Sequence, residues 1–287
     1  MTEAQNRSLF VAGAGLMGAG IAQTAAQRGF PVQLFDAVPG AAERAREQIH
    51  RRLSRAEEQG KAAAGAADSC LGHMRVVALA IPEEGTEVVI EAITEQLDLK
   101  VAFWTEMGGA CPPQVLFASN TSSIPITRLA AASGRPERFI GMHFYSPVPV
   151  MELVELVPGL LTSSETYSAI EELGRQLGKR PVRSADAPGF IGNRILIPFL
   201  NEAMRALQEG VGSAEDIDQV AKLGLRHPMG PLELADFIGL DVVLGICRVM
   251  HEGLHEPRYA PLPILERMVE AGRLGRKSGR GFYQYGG

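Results

Sequence analysis

The features that this sequence has little of exclude several classes of protein. Its three cysteines among 287 residues, Cys70, Cys111 and Cys247, lie far apart and are odd in number, so they predict free thiols. A disulfide framework and a clustered zinc site are not indicated, and we expect no metal. With 28 basic against 33 acidic residues, the chain lacks the positive excess that binds a nucleic acid. A hydrophobic share of 46% argues against a disordered chain.

Long apolar runs are also missing from the sequence. The uncharged stretch between Arg7 and Arg28 contains four glycines, two glutamines and a threonine, and the uncharged stretch over residues 107–127 contains three prolines. Neither stretch provides the roughly 20 predominantly apolar residues of a membrane-spanning helix. We therefore expect no membrane partner. Because we recognise no lipidation or export pattern, we expect a cytoplasmic protein.

The N-terminal part of the chain alternates between short apolar strands and helical patterns. An apolar strand over residues 8–12 runs into a glycine-rich segment, a helical pattern that ends at Gly29, and a second strand over residues 32–35. Further apolar runs follow at 76–79, 88–92, 115–118 and 139–142. This alternation predicts an α/β fold with a mostly parallel, Rossmann-type sheet.

The character of the sequence changes near Pro188, after which helical patterns replace strands. A long helix is predicted over residues 190–208, a helix capped by Ser213 follows, and further helices are predicted over 241–251 and 263–271. We therefore predict two domains. The first, residues 1–186, is α/β, and the second, residues 187–287, is all-helical.

The glycine-rich segment GAGLMG sits between the first predicted strand and the helix that follows it, and Asp36 ends the next strand. This context favours a dinucleotide site over a glycine-rich turn used only for packing, because the start of the helix can bind phosphates. Asp36 can bind both ribose hydroxyls and would repel a 2′-phosphate, so NAD is favoured over NADP; alternatively Asp36 only caps a turn. The predicted phosphate-binding loop consists of Gly13, Gly15, Leu16, Met17 and Gly18.

Two titratable residues stand out further along the chain. His143 ends a short apolar run, and Glu155 lies among aliphatic residues in the segment LVELV. A buried carboxylate needs a partner, and an imidazole held by a carboxylate is a competent general base. The alternative is a core histidine and an exposed glutamate. The polar segment SNTSS at residues 119–123 also follows an apolar strand, where parallel sheets place ligand-binding groups.

Several motifs in order resemble those of the L-3-hydroxyacyl-CoA dehydrogenases, especially the single-function 3-hydroxybutyryl-CoA dehydrogenases. They are GAGLMGAGIA, SNTSSIPIT, GMHFYSPVPVMELVELV, APGFIGNR, HPMGPLELADFIGLD and GRKSGRGFYQY, and they cover nearly the whole chain. The resemblance implies a reversible, NAD-dependent oxidation of a (S)-3-hydroxyacyl-CoA, of short chain length, to the 3-oxoacyl-CoA. It also implies that residues 1–186 form the NAD-binding domain and that residues 187–287 bind the substrate and form a homodimer through their helices.

The resemblance assigns roles to individual residues. It makes His143 the base that takes the 3-hydroxyl proton and Glu155 the residue that orients it, while Ser122 and Asn193 contact the hydroxyl and thioester oxygens of the substrate. Glu95, Lys100 and Lys277 are implied to line the nicotinamide side of the cofactor site. Without the resemblance, Glu95 and Lys100 would be taken for an exposed helix pair, Lys277 for a solvated tail and Asn193 for a helix cap.

The chain departs from the family pattern at two places. Ser146 stands where the family usually has an asparagine, so a shorter hydroxyl replaces an amide beside the cofactor or substrate. Residues 59–76 lack the lysine-rich tip that is often associated with the adenosine phosphate of CoA. Arg52 and Lys61, with Arg51 and Arg55, are candidates for that contact, although a solvated basic helix face explains them equally well.

Two other functions remain open at the level of the sequence. One is a dehydrogenase of a free hydroxy acid or sugar acid, of the L-gulonate type, on the same scaffold. The other is a non-catalytic NAD-binding structural protein. A lysine-dependent β-hydroxyacid dehydrogenase is not indicated, because residues 190–209 contain no lysine.

Overall fold

The computed structural model describes residues 7–286, which divide into two compact units, one that ends at Asp186 and one that begins at Ala187. The first unit is built around an eight-stranded sheet with helices, and the second is helical. Both features confirm the predicted fold class. No helix in the described part of the chain is long and apolar enough to cross a membrane.

The sheet of the first unit is parallel except at one strand pair. Its strands are β1 Ser8–Ala12, β2 Val32–Phe35, β3 Met74–Val76, β4 Thr86–Glu91, β5 Leu116–Ser119, β6 Phe139–Phe144, β7 Leu153–Pro158 and β8 Arg180–Arg183. The spatial order is β3-β2-β1-β4-β5-β6-β7-β8, and β6 pairs with β7 antiparallel. Because the chain leaves β1 first to one side and then to the other, the strand order reverses there, which is where such sheets bind ligands.

Helices of the first unit connect these strands and bury both faces of the sheet. They are α1 Leu16–Gln27, α2 Ala41–Glu58, α3 Ala66–Gly72, α4 Leu97–Ala110, α5 Ile126–Ala132 and α6 Ser164–Gln176. On one face, small residues of α1 such as Ala22 and Ala25 pack against Leu9 and Val11 of β1. On the other face, Trp104 of α4 contacts the rings of two β-strand phenylalanines, Phe117 and Phe139, at centroid distances of 5.0 and 4.7 Å.

The second unit has its own core. Its helices are α7 Gly192–Gln208, α8 Ala214–Gln219, α9 Pro231–Ile238, α10 Leu240–Leu254 and α11 Pro263–Glu270. Leu200 and Met204 of α7 pack with Leu232 of α9 and Val243 of α10, and all four side chains are buried. Ser213 caps α8 as predicted, since its side chain accepts a hydrogen bond from the Asp216 N–H at 3.1 Å.

The predicted element boundaries differ from the structure where packing or backbone conformation overrides the apolar pattern. The strand predicted at 76–79 is wrong, because the observed strand β3 ends at Val76. The pairing of Val76 with Leu34 is the last one between β3 and β2. The long helix begins at Gly192 rather than 190, since Phe190 adopts a left-handed conformation with φ 50°. The edge strand β8 went unpredicted because it contains two arginines and a proline and is mostly exposed.

Candidate active site

The turn between β1 and α1 requires glycine at two positions for reasons internal to the protein. Gly13 has φ 99°, and a Cβ there would lie 2.4 Å from the carbonyl oxygen of Ala92 on the neighbouring chain segment. A Cβ at Gly18 would lie 1.8 Å from the carbonyl oxygen of Gly13. Side chains at these positions would therefore separate α1 from the strands.

Gly15 needs a different explanation. Its φ of −67° is open to any residue, and a Cβ there would have no neighbouring atom within 4 Å. It is the N-cap of α1, no side chain caps the helix there, and the first turn, which contains Leu16 and Met17, has no acidic residue. A helix start with uncapped N–H groups beside open space fits the pyrophosphate of a dinucleotide.

Asp36 lies at the end of β2, at the same edge of the sheet as the glycine turn. Its two carboxylate oxygens accept hydrogen bonds from the backbone N–H groups of Ala14, at 2.7 Å, and Val38, at 2.8 Å. Asp36 is therefore a turn-stabilising residue in this structure. Since each carboxylate oxygen has a second lone pair and the residue is half-exposed, the carboxylate also fits two ribose hydroxyls.

The face of the sheet under α4 and α5 changes from apolar to polar along the strand direction. Val89, Phe117 and Phe139 are paired in register on β4, β5 and β6. One pleat further, Glu91 pairs with Ser119, and His143 follows two residues beyond Gly141. Because alternate residues of a strand share a face, these polar groups gather at the carboxyl edge of the sheet.

Glu91 is fully buried and has a complete set of partners. It forms an ion pair with Lys100 of α4, which is 1% exposed, and accepts hydrogen bonds from the Ser119 hydroxyl at 2.7 Å and the Ile93 N–H at 2.9 Å. The ammonium of Lys100 also lies 3.2 Å from the carboxylate of Glu95. One lysine thus faces two carboxylates, and the fully buried Glu91 is the one whose charge most needs this partner.

Glu95 connects this ion-pair cluster to the SNTSS segment. Its Oε1 accepts hydrogen bonds from the Thr121 hydroxyl at 2.5 Å and from the N–H groups of Ser122 and Ser123 at 2.9 and 3.2 Å. Burial acts to raise the pKa of Glu95, but the charge of Lys100 and these hydrogen bonds outweigh it and hold the pKa below its usual value. The Ser122 hydroxyl lies 3.3 Å from the same oxygen. The loop after β5 is therefore fixed by an ionised carboxylate.

His143 and Glu155 face each other across the antiparallel pair of β6 and β7. They are direct register partners, and His143 Nδ1 lies 2.9 Å from Glu155 Oε2. Glu155 is 1% exposed and His143 is 9% exposed. Because an ionised carboxylate can only accept, Nδ1 carries the proton in this contact, which fixes the tautomer of the imidazole. The structure brings together the two residues that the sequence singled out.

The remaining predicted residues lie as follows. Within the second unit, Asn193 is buried in the first turn of α7 without capping it, and Lys277 pairs with Asp241 at 2.6 Å. Burial acts to raise the pKa of Asp241, but the hydrogen bond and charge of Lys277 lower it overall. In the first unit, Ser146 and Lys61 are exposed, and Arg52 donates to the side chain of Gln23 at 3.0 Å. Nothing in the structure tests the roles assigned to these residues.

Sequence reasoning missed three polar residues of the first unit. Glu91 carries the same signal as Glu155, a carboxylate within an apolar strand, and this signal predicts a partner for the carboxylate. Tyr145 lies two residues beyond His143 on the same face and donates its hydroxyl to Glu155 Oε2 at 2.8 Å. Asn120 was noted only as part of its segment, yet its Oδ1 accepts from the N–H of Phe144 at 2.9 Å and so holds the end of β6 beside β5.

Two family models together match almost the whole chain. The model described as "3-hydroxyacyl-CoA dehydrogenase, NAD binding domain" matches residues 8–187, and the model of the C-terminal domain of the same family matches residues 189–285. The glycine turn and Asp36 fall within the first match, and Asn193 and Lys277 fall within the second.

Relatives along the full length of the chain support the same family. The chain is 48% identical over 279 residues to a probable 3-hydroxybutyryl-CoA dehydrogenase of Bacillus subtilis, covering 97% of both chains. It is 48% identical to a 3-hydroxybutyryl-CoA dehydrogenase of Bradyrhizobium diazoefficiens, covering 96% of this chain and 94% of the relative. Its fold matches the crystal structure of (S)-3-hydroxybutyryl-CoA dehydrogenase from Ralstonia eutropha with a TM-score of 0.93 and 45% identity, over 98% and 99% of the two chains. This chain therefore belongs to the 3-hydroxyacyl-CoA dehydrogenase family and is an oxidoreductase that uses NAD.

Proposed function

We propose that the protein catalyses the reversible, NAD-dependent oxidation of a short-chain (S)-3-hydroxyacyl-CoA, such as 3-hydroxybutyryl-CoA, to the 3-oxoacyl-CoA. The observation that carries this proposal is the buried contact between His143 and Glu155 at the carboxyl edge of a dinucleotide-binding sheet. The names of the relatives from Bacillus, Bradyrhizobium and Ralstonia support the acyl group.

The chemistry divides between the cofactor and the chain. NAD supplies the acceptor for the hydride that leaves C3 of the substrate. His143 takes the proton of the 3-hydroxyl on Nε2, because Nδ1 is engaged with Glu155, and becomes an imidazolium. Glu155 compensates this charge, so that formation of the cation inside a buried site is less costly. In the reverse direction the imidazolium returns the proton to the oxygen of the ketone.

Other residues would bind and orient the reactants. We propose that Ser122, on a loop fixed by Glu95, and Asn193 contact the hydroxyl and thioester oxygens. The proposed cofactor contacts are Gly13, Gly15, Leu16, Met17, Gly18, Asp36, Glu95, Lys100, Ser146 and Lys277. For the phosphate of CoA we propose Arg52 and Lys61, which are both exposed.

We further propose that the protein is a cytoplasmic homodimer that associates through its C-terminal helices. Support for the association comes from large apolar side chains of the helical unit that stay exposed, among them Leu223 at 79% and Ile195 at 68%. Light scattering at micromolar concentration would give twice the monomer mass of 30.8 kDa. A monomer at that concentration would contradict this part of the proposal.

A substrate series tests the proposed function. Acetoacetyl-CoA, longer 3-oxoacyl-CoA thioesters, free acetoacetate and L-gulonate would be assayed with NAD(H), and acetoacetyl-CoA also with NADPH. We expect acetoacetyl-CoA with NADH to give the highest kcat/KM and the free acids to react poorly. Preference for a free acid would support the L-gulonate type of dehydrogenase instead, and binding of NAD without any turnover would support a structural protein.

A further inference from the structure

One oxygen of the buried carboxylate accepts two hydrogen bonds from two different side chains. Oε2 of Glu155 lies 2.9 Å from Nδ1 of His143 and 2.8 Å from the hydroxyl oxygen of Tyr145. The imidazole and phenol rings also contact each other, with centroids 5.0 Å apart. The tyrosine, the carboxylate and the histidine therefore form a compact triad.

The strand geometry places the tyrosine there. His143 lies on β6 opposite Glu155, and Tyr145 follows directly after the end of that strand, one pleat beyond His143 on the same face. Burial, together with the charge of Glu155 and its hydrogen bond, raises the pKa of the Tyr145 phenol well above its usual value. The phenol thus keeps its proton and remains a donor at neutral pH.

A hydrogen-bond donor on the carboxylate changes what the imidazole experiences. It holds Oε2 in one place, and the positive end of its O–H dipole offsets part of the carboxylate charge next to Nδ1. We propose that Tyr145 is a positioning residue of the His143–Glu155 pair: its hydroxyl fixes the carboxylate and makes the imidazole a weaker base than Glu155 alone would. This inference rests on the proposed role of His143 as the base.

Charged groups also lie on the elements packed against this strand pair. On β8 the register partner of Glu155 is Val182, and α5 packs Ile126 over Gly141 on the face that His143 shares. The charged groups of the neighbouring elements include Glu152 before β7, Arg180 and Arg183 of β8, Arg128 of α5, Asp186, whose carboxylate accepts from the first N–H groups of α5, Glu165, Glu171, Glu172 and Arg175 of α6, and Glu95 and Lys100 beside the loop after β5. A change at the Tyr145 hydroxyl alone leaves all of them in place.

The test is the pH dependence of kcat/KM for oxidation of 3-hydroxybutyryl-CoA by Tyr145→Phe. Oxidation needs the neutral imidazole, so the rate falls as the pH drops and His143 is protonated. Without the phenol donor, the full carboxylate charge favours the imidazolium, and we expect the acidic limb to move to higher pH by about 0.5 unit. Tyr167→Phe is the matched control, since Tyr167 lies on α6 of the same unit, and its profile should match the wild type.

A double-variant cycle separates this effect from loss of packing. In a Glu155→Gln background there is no carboxylate charge to offset, so adding Tyr145→Phe should leave the acidic limb where Glu155→Gln places it. An acidic limb that Tyr145→Phe leaves unmoved or shifts to lower pH would overturn the inference. A shift of the same size in the Glu155→Gln background would overturn it too, because it would show an effect independent of the carboxylate. Full activity of His143→Ala would instead contradict the proposed function.

Discussion

Two buried carboxylates on the same face of the sheet differ in the kind of side chain that they contact. Glu155 on β7 contacts the imidazole of His143 and the phenol of Tyr145, whereas Glu91 on β4 is paired with the ammonium of Lys100. Both carboxylates are at most 1% exposed. A histidine changes charge near neutral pH and a lysine does not, so the first group can exchange a proton during turnover, while the second keeps a constant charge balance.

The comparison shows that burial alone does not mark a catalytic carboxylate. The Glu91–Lys100 pair extends through Glu95 to the N–H groups of the loop after β5, which carries Ser122. Apart from the proposed cofactor contacts of Lys100 and Glu95, the effect of this pair on the reaction would come through the position of that loop. Substitutions at the two carboxylates should therefore have different effects. Those at Glu155 should change the pH dependence of the rate, and those at Glu91 and Lys100 should change the stability.

The largest expected effect tests the catalytic side of this comparison. His143→Ala should lower kcat by about 10²- to 10⁴-fold, the usual cost of losing a positioned base, and leave NAD affinity within a few-fold. Steady-state kinetics and NAD titration measure the two quantities. His255→Asn is a suitable control, since His255 is exposed in the helical unit and its φ of 54° suits asparagine. A nearly normal rate for His143→Ala would remove the catalytic distinction between the two carboxylates.

On the other side, Lys100→Met should destabilise the protein by about 3–5 kcal/mol, because Glu91 would stay buried without a counter-charge. Urea unfolding measures this loss. Adding Glu91→Gln should recover part of it, since the amide oxygen can accept from the Ile93 N–H while the amide NH2 donates to the Ser119 hydroxyl oxygen. Arg175→Met, which removes an exposed pair with Glu171, should cost less than about 1 kcal/mol. Stability of Lys100→Met equal to that of the control would contradict a buried ion pair.

The sequence predicts the buried partner of Glu155 but not that of Glu91, and the reason is the spacing of these residues along the chain. Glu155 was paired with His143 because both residues ended or interrupted apolar runs that follow one another along the chain. Without the resemblance, Lys100 is taken with Glu95 for an exposed helix pair, while α4 in fact buries Lys100 against the sheet, where it is 1% exposed. The depth of a residue depends on which helix covers which strand, and that information is tertiary.

The fold itself was largely predictable, since β1 and β2 occupy the predicted ranges and the helical character after residue 187 is confirmed. The glycine turn was predictable because packing requires glycine at Gly13 and Gly18, and the motif contains glycine at both positions. The triad member Tyr145 was not found, because its role depends on the antiparallel register of β6 with β7, and neither β7 nor that pairing was predicted.

Glu155→Gln should have a moderate effect on the rate and its pH dependence, and this effect should distinguish Glu155 from Glu91. Without the carboxylate the imidazolium is less stable, so the acidic limb of the oxidation profile should move to lower pH by about 1 unit, and kcat should fall less than in His143→Ala. Rates measured across the pH range test both points. Glu91→Gln, the matched change at the other carboxylate, should leave the acidic limb in place. Equal shifts for the two variants would mean that the two carboxylates do not differ in function.

The smallest expected effect concerns Glu95, the link between the ion-pair cluster and the loop. Its pKa is lowered in the folded protein, so its carboxylate stabilises the fold above the unfolded pKa, and this contribution is lost as the pH falls through the folded value. Glu95→Gln should therefore lower Tm at neutral pH and show a shallower fall in Tm as the pH drops below the usual pKa of a glutamate.

Thermal unfolding at several pH values measures the effect of Glu95→Gln, with Glu106→Gln as the control because Glu106 is exposed on α4. If Glu95→Gln and Glu106→Gln lost Tm in parallel with the wild type on acidification, Glu95 would hold the loop without an electrostatic contribution. The ion-pair cluster would then end at Lys100 and Glu91, and Ser122 would depend on hydrogen bonds that a neutral amide can replace.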